Sequence, residues 1–206
     1  MMSWLRIGSV TVWSIFLDIC LGVVALMGDR SVSHSNSNFR RAVADSCTHC
    51  FIGILSWLIV SLHNKSELGH FYETCACGFL SSLIDIDHFI AARSVKLTDA
   101  LNLTSRPFLH CSSVVFLLCV IFISVSSVFN LKEITTFGWI LFAAFVSHHI
   151  RDATRRGLWI WPFGSTAPIP YNIYIILTML FPFVLITVMT LCTASPRTYF
   201  KDVLDV

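Results

Sequence analysis

The chain has 206 residues, of which 55% are hydrophobic and 13% charged, with a mean hydropathy of +0.75. Soluble domains carry roughly 25% charged residues, so these polar groups cannot cover a globular surface, and the composition is that of a multi-pass membrane protein. A net charge of +2 gives no footprint for nucleic-acid binding, and the sequence names no protein partner, leaving the lipid bilayer as the surroundings it implies.

The first apolar run is Gly8–Met27. Arg6 is a weak basic flank and Ala25 and Met27 make a poor cleavage site. The run is also long for a signal peptide and contains Asp18, so it reads as a retained helix. Asp18 in mid-helix is the costliest single placement and calls for a polar partner or cavity. The stretch Asp29–Arg41 is the most polar of the chain and reads as a loop. Ala44–Leu62 is the second apolar segment. Phe71–Ala92 is marginal: it carries Glu73, Asp85 and Asp87, so lipid cannot surround it on all sides. Pro107–Phe129, Ile134–Ile150 and Tyr171–Cys192 follow, with Pro182 expected to kink the last. Most approach the ~20 residues needed to cross a bilayer. A backbone in lipid must satisfy its own hydrogen bonds. The expected fold is therefore an all-α polytopic bundle of about six transmembrane helices.

Segment Phe71–Ala92 decides the topology. If it crosses, loops one, three and five carry Arg30, Arg40, Arg41, Arg93, Lys96, Arg106, Arg151, Arg155 and Arg156. The other side carries Arg6, Lys65, Lys132, Arg197 and Lys201. Nine against five places the odd loops in the cytoplasm. Asn64 and Asn102 fit the glycosylation pattern; only Asn64 would then face the lumen, too close to the membrane to be modified. The eight cysteines lie mostly in apolar runs, where Cys acts as a small hydrophobe. Cys47-Thr-His-Cys50 has no second CxxC to support a zinc site.

The same topology gathers the ionisable residues at one face. Asp45 and His49 open the second helix. Asp85, Asp87 and His88 lie near the end of the third, and His110 opens the fourth. His148, His149 and Asp152 end the fifth. Imidazole and carboxylate are ligands that zinc-like metals accept. His148/Asp152 and Asp45/His49 are both spaced i, i+4, one turn apart on a helix face. The candidate metal ligands are His49, Asp85, Asp87, His110, His148 and Asp152. A divalent, zinc-like metal is the one cofactor they suggest. Arg151, Arg155 and Arg156 form a candidate rim for a headgroup or phosphate, though basic flanks of this kind also follow from topology alone. Trp159, Trp161 and Tyr171 read as interfacial anchors.

Four short motifs in order, THCFIG (Thr48–Gly53), LIDIDH (Leu83–His88), RPFLHCS (Arg106–Ser112) and SHHIRD (Ser147–Asp152), are followed by WPF (Trp161–Phe163). As an ordered set they resemble the YdjM-type family of bacterial inner-membrane proteins, described as metal-dependent hydrolases. The resemblance covers about residues 44–165. It leaves residues 1–43 as an extra N-terminal helix and polar loop, and 166–206 as a last helix and short tail. It implies that His49, Asp85, Asp87, His110, His148 and Asp152 fall on the family's polar positions. The chain departs from the pattern at Ser105, where the family has a His, and at Ile84, Pro107 and Leu109.

Three functional readings follow. The first is a multi-pass membrane protein whose His/Asp pocket is non-catalytic, favoured by Ser105 and by the lack of a soluble domain. The second is a metal-dependent membrane hydrolase acting on a phosphoester or lipid-derived substrate. The third is a transporter or haem-binding electron carrier that uses the intramembrane His and Asp. No catalytic residue is assigned at this level.

Overall fold

The structure, a computed structural model, describes residues 2–63 and 70–193, with side chains described over 10–63 and 71–192. Lys65, Arg197 and Lys201, the acceptor Asn64, the Arg6 and His70 side chains and the tail beyond Thr193 lie outside the described residues. The chain is an all-α membrane bundle. Its main helices are α1 (Met2–His34), α2 (Asn38–Leu62), α3 (His70–Leu83), α4 (Ile86–Ala92), α5 (Leu97–Leu101), α6 (Ser112–Val128), α7 (Lys132–Arg156) and α8 (Tyr171–Thr193). A 3₁₀ turn, Phe108–His110, leads into α6. A two-stranded hairpin, β1 (Trp159–Ile160) with β2 (Gly164–Ser165), joins α7 to α8.

Four stretches are long and apolar enough to cross a membrane: Val10–His34, Asn38–Leu62, Phe71–Ala92 and Tyr171–Cys192. The apolar α6 has 17 residues, the short end of what spans. Helix α7 has 25 residues, but its last turns are polar. Its side chains fill the middle of the bundle, where Trp139, Ile140, Ala143 and Ala144 pack with Trp57, Cys77, Ile123, Phe181 and Leu185. A second cluster joins Leu21 and Ala25 of α1 to Ile52 and Ile59 of α2 and Tyr174 of α8. The outward faces carry Trp13, Phe16, Phe79, Phe116, Ile121 and Leu180, all exposed. Such an apolar surface suits lipid rather than water.

Two expectations need correction. The polar stretch Asp29–Arg41 is not mainly a loop, because α1 continues to His34 and α2 begins at Asn38. Its serines serve the helices. Ser31 and Ser35 return hydrogen bonds to carbonyls four residues back, at 2.9 and 2.7 Å. Ser37 is the N-cap of α2 and accepts from Arg40 N at 3.2 Å, the usual role of Ser at a helix start. The second correction concerns the segment beginning at Pro107. Residues before Cys111 form a 3₁₀ turn rather than a helix, because Pro107 holds an extended backbone (φ −66°, ψ 157°).

The segment Phe71–Ala92 breaks at Ile84–Asp85, between α3 and α4. Broken helices at membrane depth are tolerated where they line a protein interior or cavity. Helix α3 lies very close to α2. A Cβ added at Gly78 would stand 2.8 Å from the Cys50 carbonyl oxygen, and one at Gly53 2.9 Å from Ser81 Cβ. Small residues allow this approach, as in other membrane helix pairs. It carries Ser81 and the break beside it under α7. Asp18 Oδ1 is buried with no hydrogen-bond partner among the described residues.

Candidate metal centre

The break after α3 places Asp85 at the start of α4 and Asp87 two residues further on. The 3₁₀ turn holds His110 against them. Helix α7 presents His148 and Asp152 from one face, and α2 presents His49. Asp85, His110, His148 and Asp152 each offer one ligand atom, and these atoms all lie within 4.8 Å of one another. Asp85 Oδ1 is 3.5 Å from His110 Nε2 and 3.6 Å from His148 Nε2. Asp152 Oδ2 is 3.3 and 3.4 Å from the same two nitrogens. The two Nε2 atoms are 3.3 Å apart.

The far nitrogens define the chemistry of the near ones. His148 Nδ1 is 2.8 Å from the Ser81 carbonyl oxygen. A carbonyl only accepts, so that nitrogen carries the hydrogen. His110 Nδ1 is 3.1 Å from Asp87 Oδ2, which also accepts from Leu109 N at 2.9 Å. Carboxylate or carbonyl bonds of this kind orient metal-ligating histidines. In neutral rings both Nε2 atoms then point lone pairs at two carboxylate oxygens. Four acceptors facing one another at 3.3–3.6 Å repel unless a cation or added protons lie among them. The donor set therefore fits a divalent metal of the zinc class.

The other expected ligands stand around this group. Asp87 supports His110 from behind, and its second oxygen is 3.1 Å from His88 Nδ1. His149 turns away, with Nε2 3.0 Å from the Leu109 carbonyl. His49 stacks on His148 with ring centroids 3.9 Å apart. Its Nε2 is 2.9 Å from Arg151 Nη1 and 3.4 Å from Asp152 Oδ1. Arg151 can only donate, so His49 Nε2 accepts, and its Nδ1 is buried with no hydrogen-bond partner among the described residues. Asp45, His49 and Asp85 make a second close set of potential ligands. There, however, the Arg151 bond already occupies His49 Nε2, and two arginines hold Asp45.

Arg151 does not stand on a rim. It is 1% exposed and ties three elements together. Its Nε and Nη2 donate to Asp29 Oδ1 at 3.1 and 2.9 Å, and its Nη1 donates to Asp45 Oδ1 at 2.6 Å. Arg155 also bonds Asp45, at 2.5 and 2.9 Å. Tyr171, expected as an anchor, donates to Asp29 Oδ2 at 3.2 Å. Arg156 is exposed and forms no ion pair among the described residues. Arg106 donates to the Gly157 carbonyl at 3.1 Å and to the Arg156 carbonyl, which closes the end of α7. Ser105 is exposed and lies outside both the four-atom group and the cavity.

Sequence reasoning missed Asp29, Ser81 and Arg106. Asp29 had a signal, since it extends the i, i+4 series of the fully buried Leu21 and Ala25 and falls on that stripe once α1 continues past Met27. Ser81 acts through its backbone carbonyl, which no side-chain pattern reports.

The group opens into a cavity of about 750 Å³. Asp85, His110 and Asp152 lie at its floor.

The YdjM inner membrane protein family matches residues 45–202. The chain is 39% identical to transmembrane protein 267 of Xenopus laevis over 183 residues, covering 86% of this chain and 84% of the relative. It is 40% identical to transmembrane protein 267 of Mus musculus, covering 82% and 80% of the two chains. No solved structure matches the chain.

Proposed function

The chain belongs to the YdjM inner membrane protein family, and on that premise we propose that it holds one divalent metal through Asp85, His110, His148 and Asp152 and serves as a membrane-embedded hydrolase of ester or phosphoester bonds. The observation that carries this reading is the convergence of four acceptor atoms whose imidazole partners are oriented from behind by Ser81 and Asp87. A metal in such a ligand set supplies a Lewis acid and a water ionised near neutral pH. The chain's own residues do the rest. Asp87 and the Ser81 carbonyl fix the two rings. Asp152 Oδ1 faces His49 Nε2 at 3.4 Å and Arg155 Nη1 at 3.9 Å, which fixes the carboxylate so that Oδ2 is aimed at the two ligand imidazoles.

A second reading keeps the pocket without catalysis. The same 3.3–3.6 Å separations suit protonated imidazoles paired with the two carboxylates. A haem carrier fits less well. Axial histidines need a planar slot between them, and here the rings of His49, His148 and His110 pack at centroid distances of 3.9 and 5.2 Å.

The test is elemental mass spectrometry of the chain purified in detergent, beside a His148→Ala/Asp152→Ala variant. About one zinc, manganese or iron per chain, lost in the variant, supports the metal reading. Hydrolysis of a chromogenic phosphodiester by the loaded chain alone supports catalysis. Metal without hydrolysis of any ester leaves the non-catalytic reading. No metal in a folded wild-type chain, after equilibration with each ion, overturns the metal site.

A further inference from the structure

The cavity above the metal group has two unlike halves. One wall is apolar and comes from α2, α4 and α5 and their connection. It includes Phe39, Val43, Phe89, Val95, Leu97 and Leu101. Several of these are open to the surroundings: Val95 is 94% exposed, Phe39 69% and Leu101 48%. Helices α4 and α5 are short, at seven and five residues; α4 ends the apolar stretch Phe71–Ala92 and α5 lies beyond it. The opposite edge is cationic. Arg106, Arg155 and Arg156 line it.

Their charges are unequally committed. Arg155 is neutralised by Asp45. Arg156 pairs with no carboxylate among the described residues, and Arg106 spends its hydrogen bonds on two carbonyls, which leave its charge in place. Partial burial lowers the pKa of Arg106 from its ordinary value; the neighbouring Arg156 charge adds to this and the Asp152 carboxylate opposes it. Neither Arg106 nor Arg156 forms an ion pair among the described residues, so both can attract an anion, and the guanidinium fork suits phosphate. The volume, about 750 Å³, is within the range of small-molecule sites.

We propose that the cavity binds a membrane amphiphile made of an acyl chain and a phosphate-bearing head, with the chain along Phe39, Val43, Phe89, Leu97 and Leu101 and the phosphate between Arg106/Arg156 and the Asp85–His110–Asp152 floor. This rests on the hydrolase reading and names its substrate class. A chain lying on this wall meets side chains that are themselves open to the surroundings, and the phosphate it carries shares the cavity with the arginines and the metal ligands. A head without a chain lacks the wall's contribution. A chain with a neutral head brings no anion to the guanidiniums.

The experiment uses the full chain in phosphatidylcholine nanodiscs. The probe is a monoacyl glycerol phosphate with a photoactivatable group at the end of its acyl chain. Cross-links are mapped by peptide mass spectrometry, and metal content is measured on the same sample. The expected result is labelling within residues 39–47 and 89–103. Unlabelled monoacyl glycerol phosphate should compete at least ten times better than glycerol 3-phosphate or than monoacylglycerol with the same chain. Leu101→Trp, which fills the wall, and Arg156→Ala, which removes an exposed side chain without an ion pair, should each weaken competition about tenfold while metal content stays unchanged. Equal competition by glycerol 3-phosphate would overturn the proposal in favour of a free phosphate site. Equal competition by monoacylglycerol would reduce the wall to an unselective apolar surface. Absent or scattered labelling in a chain that retains its metal would also overturn it. Loss of metal from the wild-type chain would instead strike at the hydrolase reading itself.

Discussion

Replacing Arg151 with Met tests whether the buried guanidinium holds α1 and α2 to α7. Met keeps much of the volume and removes the charge. Four hydrogen bonds go: two to Asp29, one to Asp45 and one to His49. The carboxylates do not suffer equally. Asp45 keeps its ion pair with Arg155, whereas Asp29 keeps the Tyr171 hydroxyl and, among the described residues, no other ion pair. Breaking a buried ion pair costs about 3–5 kcal/mol. The two carboxylates are 21% and 19% exposed, which places the expected loss at the lower end, about 3 kcal/mol or roughly 150-fold in the folding equilibrium. The assay is equilibrium unfolding in mixed micelles with increasing SDS, for wild type, Arg151→Met, Asp29→Asn and the double variant. Neutralising Asp29 removes the charge that Arg151 was holding, so the double variant should recover more than ~1 kcal/mol relative to the sum of the singles. A loss below ~1 kcal/mol for Arg151→Met, with single effects that simply add, would refute the argument that this network fastens α1 to the core.

Asp87→Asn removes an acceptor behind His110 without touching the four ligand atoms, and metal affinity should fall about 10–100-fold; titration with a competing chelator measures it. Lower pH should weaken metal binding, because each imidazole must lose its proton to bind. Below the ligands' titration range two histidines make the loss approach ~100-fold per pH unit, and an affinity flat between pH 7.5 and 5.5 would exclude histidine ligation. Gly78→Val should destabilise the chain by about 1–3 kcal/mol through overpacking against Cys50 and Ile54, readable in the same SDS titration. With the odd loops in the cytoplasm, a cysteine at Ser94 in a cysteine-free background should react with impermeant maleimide only after the cytoplasmic side is opened. Labelling from the other side would reverse the orientation drawn from the basic residues.

The membrane class and the helices were legible because apolar runs of helix length have few other solutions in lipid. The carboxylates of Asp85 and Asp152 and the imidazoles of His110 and His148 could be placed at one depth because that needs only helix order and spacing. The choice among ligands was not legible. Whether His49 or Asp87 points at the centre depends on what occupies its other atoms, and those partners, Arg151 and His110, are 102 and 23 residues away. The α1 boundary was misread for a local reason. Serine and charge mark loops in water, but at a membrane surface the same residues continue a helix and cap the next. Arg151 was read as a flanking charge because sequence shows its position at a helix end and not the two carboxylates that bury it.

Arg151 is 122 residues from Asp29, and that distance has a consequence for biogenesis. At about 5–20 residues per second of synthesis, α1 waits roughly 6–24 s for α7 to emerge. During that interval Asp29, Asp45, Asp85 and Asp87 are made without Arg151, and Asp85 and Asp87 without His110 or His148. The first half of the protein reaches the insertion machinery with Asp29 and Asp45 still lacking their Arg151 partner. The contact of Asp85 with His148 forms only when α7 arrives, so the polar end of α7 joins the early helices late, with α8 still to follow.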